Sequence, residues 1–319
     1  MRPSRSWSTP IVPAFLVLVL LGPACAGGSE TPANEVSPSP TSTARATFPL
    51  MLVDDDGVEV TIEAEPQRIV TFAPSMTETL FALGAGDRIV GVSGPFDDYP
   101  AEAKGIEQVG GGGEFGVDPN IERVLALAPD LFLAISGGDA WKAELRDLDV
   151  PVVTLDAVDF DDLLDDIRTM GELTGTGDAA ETLVEDMAAR ADAVEAQTAE
   201  PVSCFFEVYY PPLTTVGPDT FLFDLLERAG CDPVTADATS DYPEWSVEDL
   251  VAEGPDVYLA TPESAKSTSK IAERPGFDAI PAVASGSIAL VDGDLVTRPG
   301  PRVIDGLEQL AAALHASGD

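Results

Sequence analysis

The chain has 319 residues, 45% of them hydrophobic, which is a globular composition with enough length for a sizeable core and two domains. Its 17 Lys and Arg against 56 Asp and Glu give a formal charge of −39, with the acids scattered along the chain. Repulsion therefore excludes nucleic acid and anionic lipid surfaces as partners, and such an acidic surface is typical of a salt-adapted or GC-rich bacterium.

The first 24 residues have the pattern of a secretory signal peptide. Arg2 and Arg5 precede an apolar run at 11–21 that is too short to span a bilayer, and small residues then lead to Cys25. We therefore predict a signal peptide at residues 1–24 and an extracytoplasmic location for the rest of the chain.

Cys25 is the candidate site of lipid attachment. The residues before it resemble the processing site of bacterial lipoproteins, although Gly22 stands where that pattern usually has leucine. Plain signal cleavage without lipid is the alternative. Residues 25–47 are rich in Ser, Thr, Pro and Ala, which predicts a disordered tether. We therefore expect the folded part to be anchored to the cell membrane by lipid on Cys25.

The first folded segment, residues 48–175, alternates strand and helix patterns after a hairpin signal at 50–63. This alternation predicts an α/β lobe with a parallel sheet, whose ligands bind at the carboxyl ends of the strands. Four side chains fall in loops after predicted strands and are candidates for one wall of a cleft: Ser75, Phe96, Tyr99 and Phe115.

An internal repeat indicates that a second, similar lobe follows the first. The segments 120–134 and 246–260 align without a gap. Each opens with a helix N-cap residue, Asn120 or Ser246, continues as one short helix, breaks at Pro-Asp and enters an apolar run typical of a buried strand. The fold class is therefore α/β, with two similar lobes, each with a parallel-rich sheet flanked by helices.

The repeat places Glu122 and Glu248 in equivalent first turns of equivalent helices. A single glutamate there is explained by its favourable interaction with the helix dipole. Two matched acids, one on each lobe, also fit a symmetric pair of docking residues on the surface.

Two amphipathic helices, at 161–173 and 178–198, connect the predicted lobes. The second helix is long, since each of its residues adds 1.5 Å along the axis. We assign residues 176–200 to one rigid helix that connects the lobes. We expect a stiff hinge.

The second lobe, residues 201–319, carries further candidates after its predicted strands. Tyr209, Tyr242, Trp245 and Arg298 all lie in loops, the last of them in a predicted loop at 294–302. Aromatic residues are more often part of a core than of a ligand wall, and that alternative stays open for these three.

Cys204 lies at the start of a predicted strand, and Cys231 follows the helix that returns beside it. These two places lie close together in an α/β unit, so a disulfide is geometrically plausible in an exported protein. Two unpaired buried thiols are the alternative.

Histidine chemistry is excluded, because His315 is the sole histidine and lies in the last predicted helix. With Cys25 assigned to lipid, the remaining two cysteines cannot make a structural zinc site by themselves. We predict no enzyme activity, no catalytic residue, no metal site and no cofactor; a binding cleft with aromatic walls fits the sequence better.

From about residue 48 to the end, the sequence resembles the substrate-binding proteins of bacterial ABC importers that have a single helical backbone and carry cobalamin, ferric siderophores or haem. The motifs are Pro66-Gln-Arg68-Ile-Val70, Ala73-Pro-Ser-Met-Thr-Glu78, Asp98-Tyr99-Pro100, the two Pro-Asp segments and Arg274-Pro-Gly-Phe-Asp-Ala-Ile-Pro281. The ending from Val291 to Arg302 and the Asp-Tyr-Pro element are most similar to the cobalamin-binding branch.

The resemblance implies roles for several candidates. In this family one glutamate on each lobe docks onto arginines of the permease dimer, a role that falls to Glu122 and Glu248. In the cobalamin branch, aromatic residues of both lobes enclose the corrin ring, and an Arg and an Asp of the second lobe meet its amide-bearing side. The matching or nearly matching residues are Tyr99, Phe115, Tyr242, Asp294 and Arg298. A tryptophan expected before the first Glu helix is missing, and Phe115 is its nearest substitute.

These features together imply a monomeric receptor that captures cobalamin between two rigid lobes and delivers it to a permease dimer with its cytoplasmic ATPase. A ferric siderophore or haem is the alternative ligand, although an anionic siderophore would need several cleft arginines and only Arg298 is evident. An extracytoplasmic chelatase lacks His and Cys ligands here, and a structural surface lipoprotein would not explain the paired glutamates.

Overall fold

The computed structural model describes residues 47–113, 117–198 and 200–316. The predicted signal peptide, Cys25 and Phe115 lie outside these residues, as does all but the last residue of the predicted tether. Of the helices in the described ranges, none is both long enough and apolar enough to span a bilayer.

Strands and helices alternate along the described chain. The strands are β1 (Leu50–Val53), β2 (Glu59–Ile62), β3 (Ile69–Thr71), β4 (Ile89–Val92), β5 (Glu107–Gln108), β6 (Gly110–Gly112), β7 (Asp118–Pro119), β8 (Leu131–Ala134), β9 (Val152–Thr154), β10 (Val202–Glu207), β11 (Cys231–Pro233), β12 (Val257–Ala260) and β13 (Ile288–Leu290). The α-helices are α1 (Pro74–Ala82), α2 (Ile121–Ala126), α3 (Asp139–Asp147), α4 (Phe160–Thr174), α5 (Gly177–Glu195), α6 (Phe221–Arg228), α7 (Val247–Glu253), α8 (Thr268–Ala272), α9 (Pro281–Ser285), α10 (Gly293–Val296) and α11 (Val303–His315).

Nine of the described strands form two parallel sheets, one in each lobe. The first lobe has five strands in the order β5-β4-β3-β8-β9, and the second has four in the order β11-β10-β12-β13. Every pair in both sheets is parallel, whereas β1–β2 and β6–β7 are short antiparallel hairpins. The predicted fold class, two α/β lobes with parallel-rich sheets, is confirmed.

The internal repeat folds as predicted in both lobes. The Asn120 side chain accepts a hydrogen bond from the backbone N–H of Arg123 at the start of α2, and Ser246 accepts one from Asp249 at the start of α7. Each cap satisfies one otherwise unpaired backbone donor. The strands that follow, β8 and β12, are completely buried, as expected for parallel strands covered on both faces.

The helix α5 spans 19 residues and follows α4 in the connection between the two sheets. It packs against α4 on one side and against α11 and α6 on the other. One buried apolar cluster continues from the first lobe through these helices into the second, and it includes Leu133, Ile167, Met187, Leu225 and Leu307. Opening the lobes would therefore have to disturb a close-packed cluster.

The turn of the N-terminal hairpin is fixed to the end of β9 by buried charges. Lys142 of α3 is fully buried, and its ammonium donates to Asp56 at 2.7 Å and to the Thr154 hydroxyl at 3.0 Å. Asp54 is also buried and accepts from the Thr154 N–H at 3.1 Å. The same turn brings the Asp55 carboxylate to the backbone N–H of Asp156, at 2.6 Å.

Two parts of the second lobe differ from expectation. The predicted loop at 294–302 begins with the short helix α10, which the Asp292 side chain caps. Cys231 begins a strand, β11, which pairs in parallel with β10. The disulfide between Cys204 and Cys231, in contrast, is present as the sequence made plausible. The local sequence gave no signal for β11, because Cys-Asp-Pro has neither the length nor the pattern of a strand.

Candidate ligand-binding cleft

A cleft of about 670 Å³ lies between the two lobes. The first lobe contributes residues that directly follow β3, β8 and β9, and the second contributes residues after β10 and the segment 296–299. Residues of α4 form the floor, among them Leu163, Asp166 and Met170. The carboxyl ends of parallel strands from both sheets therefore meet at this cleft, as expected for a binding site in an α/β protein.

Carboxylates dominate the polar part of the lining. Asp156 and Asp166 lie on the first-lobe side and floor, and Asp219 and Asp241 lie on the second-lobe side. Of the described residues that line the cleft, Arg298 is the one cation. The cleft therefore repels anionic ligands.

The pKa of Asp166 is raised to about 8, first by burial and then by the neighbouring carboxylates of Asp55, Asp162 and Asp156. The N–H of Ala157 donates to this carboxyl and opposes the rise. Because folding raises the pKa of Asp166, its carboxyl ionises at a lower pH in the unfolded chain than in the folded one. The contribution of Asp166 to stability is therefore full below about pH 4 and is lost as the pH rises towards 8.

Arg298 is held by groups of the protein itself. Its guanidinium pairs with Asp294 at 2.6 Å and Glu78 at 3.4 Å, and it donates to the backbone oxygen of Phe96 at 3.2 Å. Asp98 adds a weaker contact at 3.7 Å. Most of its donors are therefore committed before any ligand enters.

Glu78 connects the lobes beside the cleft. This carboxylate of α1 is buried and accepts from Arg302 of the second lobe at 2.8 Å and 2.6 Å, a two-pronged geometry that a guanidinium favours. The Arg302 guanidinium also lies 4.0 Å from the ring centre of Tyr99. At Gly300 the chain passes so close to α1 that an added Cβ would lie 3.3 Å from the Ser75 carbonyl oxygen. We call the cluster of Glu78, Tyr99, Arg298 and Arg302 the interlobe ion cluster.

Replacing Glu78 with glutamine is expected to lower the free energy of unfolding by about 2–3 kcal/mol, because two guanidinium groups lose their shared buried carboxylate. Urea unfolding followed by circular dichroism measures this. Glu308→Gln is the matched control: Glu308 binds Arg190 with similar geometry but is exposed, so we expect a loss below about 1 kcal/mol. Equal losses in the two variants would contradict a structural role for the interlobe ion cluster.

The structure brings Ser75, Tyr242 and Arg298, three of the residues predicted to bind ligand, together in the cleft lining. Tyr242 belongs to the second lobe and is 60% exposed, and its pKa is raised by partial loss of hydration and by the carboxylates of Asp241 and Asp156. Because Asp156 belongs to the first lobe, Tyr242 lies within electrostatic range of the opposite wall.

Other candidates occupy different places. Phe96 is exposed and lines a separate cavity of about 630 Å³ on the first lobe. The Tyr99 ring packs under Arg302, and Asp294 pairs with Arg298 outside the cleft lining. Tyr209 is exposed at an isolated bridge with Thr214. Trp245 packs against the second-lobe core, which favours the core interpretation left open above.

Three residues in or beside the cleft were not among the sequence candidates: Asp166, Glu78 and Arg302. Asp166 lies in a run of acids on an amphipathic helix, a pattern that indicates a solvated face. Glu78 and Arg302 are 224 positions apart, so no local pattern could pair them.

Glu122 and Glu248 are both exposed in the first turns of α2 and α7. Their positions are equivalent within the two lobes because each helix precedes the corresponding strand, β8 or β12. In the described parts of the chain, no group of three or more His, Cys, Asp or Glu is placed to hold a metal ion.

The fold and the cleft define a two-lobed binding protein, and comparison with known proteins agrees. The periplasmic binding protein family matches residues 69–295, and the chain belongs to this family.

The chain is 35% identical to the uncharacterized ABC transporter substrate-binding lipoprotein YvrC of Bacillus subtilis (strain 168), over 84% of this chain and 86% of that protein. It is 30% identical to a cobalamin-binding protein of Halobacterium salinarum (strain ATCC 29341 / DSM 671 / R1), over 94% of this chain and 84% of that protein.

Two solved structures are similar as well. The periplasmic vitamin B12 binding protein BtuF of Vibrio cholerae has a TM-score of 0.71 at 25% identity, covering 80% of this chain and 99% of that one. The periplasmic heme-binding protein RhuT of Roseiflexus sp. RS-1 has a TM-score of 0.70 at 25% identity, covering 79% and 99%.

Proposed function

We propose that this chain is the lipid-anchored, extracytoplasmic substrate-binding component of an ABC importer and that it captures cobalamin in the interlobe cleft. The observation that carries the proposal is the cleft itself: about 670 Å³, formed at the carboxyl ends of strands of both lobes, with apolar walls, the Tyr242 ring and an acidic polar lining. The relatives named above support the transport role, and the Halobacterium and Vibrio proteins support the ligand.

The charge of the cleft favours cobalamin over the alternatives. Cobalamin presents a ring edge of neutral carboxamides, whereas haem carries carboxylates and many ferric siderophores are anionic. Arg298 could meet such a group, but its guanidinium already binds Asp294, Glu78 and the Phe96 oxygen. Binding a carboxylate among Asp156, Asp219 and Asp241 would therefore cost electrostatic energy.

Delivery to the membrane is assigned to the paired glutamates. Exposed Glu122 and Glu248 present one carboxylate from each lobe, a pair that a two-subunit permease with basic residues can engage simultaneously. The continuous core through α4 and α5 keeps the spacing of this pair nearly constant. Fixed spacing lets both contacts form without further ordering cost.

Titration calorimetry of the chain from residue 26 onward tests the ligand. We expect submicromolar binding of cyanocobalamin at pH 7, with no heat from haemin or a ferric hydroxamate siderophore. Tyr242→Ala is expected to weaken cobalamin binding about tenfold, because it removes an aromatic wall of the cleft. Tyr209→Ala, an exposed tyrosine outside the cleft lining, is the matched control. Heat from haemin or the siderophore with silence from cyanocobalamin would overturn the ligand assignment and leave the transport role in place.

A further inference from the structure

Asp166 occupies a distinctive place in the cleft. It lies on α4, the first helix of the connection between the lobes, and it is partly buried on the cleft floor between Leu163 and Met170. Three carboxylates lie within electrostatic range of it: Asp55 on the N-terminal hairpin, Asp156 just after β9 and Asp162 one helical turn earlier. Asp219, Asp241, Tyr242 and Arg298 line the opposite side of the same cleft.

We propose that Asp166 contacts the ligand from the cleft floor as a neutral carboxylic acid that donates a hydrogen bond to a carbonyl oxygen, so that the site selects a ligand with an uncharged amide edge. This inference rests on the proposed function and identifies a specificity-determining residue within it. A carboxyl crowded by three other carboxylates is the group in this lining best suited to keep its proton. A protonated carboxyl is a donor, whereas a carboxylate only accepts hydrogen bonds.

Ligand binding strengthens this preference for the protonated form. A ligand that covers the floor removes water from Asp166, and loss of water penalises the charged form further. Since the pKa in the free protein is already about 8, the carboxyl is neutral at pH 7 and binding needs no proton. Above pH 8 the carboxylate must take up a proton when the ligand binds, so affinity falls by up to about tenfold per pH unit.

The other groups of the cleft do not reproduce this behaviour. The pKa of Tyr242 is shifted upward from 10, so its phenol stays protonated between pH 7 and 9. Any titration of the ligand itself would affect all variants alike. If Asp166 causes the pH dependence of ligand affinity, that dependence therefore disappears when Asp166 alone is replaced.

The experiment is a calorimetric titration with cyanocobalamin at pH 7, 8 and 9, using the chain from residue 26 onward. We expect the wild-type affinity to fall about tenfold between pH 7 and 9. Asp166→Asn keeps a donor of the same shape and is expected to bind as the wild type does at pH 7 and to keep that affinity at pH 9. Asp166→Ala loses the donor and is expected to bind about 5–10-fold more weakly at both values.

Asp165 supplies the matched control. It is the preceding residue on α4, is exposed and pairs with Arg168, so Asp165→Asn is expected to follow the wild type at every pH. Wild-type binding that is equally tight at pH 7 and 9, or an Asp166→Asn variant that weakens in parallel with the wild type, would overturn the inference and leave the proposed function intact. Silence from cyanocobalamin at pH 7 in the folded wild-type chain would overturn the ligand assignment, and the inference with it.

Discussion

Replacement of Arg274 by alanine is expected to lower the free energy of unfolding by about 3–5 kcal/mol, because it leaves a buried carboxylate without its counter-ion. That carboxylate is Glu207 at the end of β10, whose side chain has no exposed surface. Arg274 binds it through both terminal nitrogens, with one contact at 3.0 Å. The Tyr258 hydroxyl donates to the same carboxylate and has its pKa raised, first by burial and then by Glu207.

The Arg274 side chain also has a packing role. Its guanidinium lies 4.0 Å from the ring centre of Tyr210 and 5.1 Å from that of Phe277. Stacking of this kind depends on the flat guanidinium, so Arg274→Lys is expected to recover only part of the lost stability.

Urea unfolding with the disulfide intact measures both variants. Lys270→Ala is the control from the same region: Lys270 pairs with Glu273, and both side chains are more than half exposed, so the expected loss is below about 0.5 kcal/mol. An Arg274→Ala loss no larger than that of Lys270→Ala would show that Glu207 is stabilised by other means.

Reversing both docking charges, Glu122→Lys with Glu248→Lys, is expected to reduce cobalamin uptake by at least about 30-fold while leaving cobalamin binding unchanged. Each lysine would place a positive charge against the basic residues expected on the permease, and unfavourable charge pairs at an interface cost several kcal/mol. Some stability is lost as well, since a cation in the first helical turn opposes the helix dipole by about 0.3–1 kcal/mol.

Uptake of labelled cobalamin by cells that carry the variant as their sole copy measures this prediction, and calorimetry on the purified variant checks ligand binding. Glu185→Lys with Asp192→Lys changes the net charge by the same amount on α5 and is the control. Wild-type uptake by the Glu122/Glu248 variant would refute the docking proposal. Loss of uptake in the α5 control as well would assign the effect to overall charge.

Local sequence patterns were sufficient for most of the architecture, with β11 and α10 as exceptions. The repeated segments at 120–134 and 246–260 contain cap, helix, Pro-Asp break and apolar strand within one continuous stretch each, and each of these signals acts between residues close in the chain. Both copies fold as α2–β8 and α7–β12. Because parallel sheets gather strand ends at one edge, Ser75, Tyr242 and Arg298 lie together in the cleft lining, and their role in ligand binding stays a prediction.

Only the tertiary packing determines which polar groups of that architecture are buried, hydrogen-bonded or paired with an opposite charge. Asp166 has the sequence context of a solvated helix face, and its pKa is raised because the folded chain buries it, with the carboxylates of Asp55 and Asp156 approaching from other elements. Glu207 and Arg274, which bind each other, are 67 positions apart in the chain. Arg298 is about 200 positions from Glu78 and Phe96, the first-lobe residues that bind its guanidinium. Burial, hydrogen bonding and charge pairing depend on distance in space, whereas helices, caps and strands depend on neighbours in the chain.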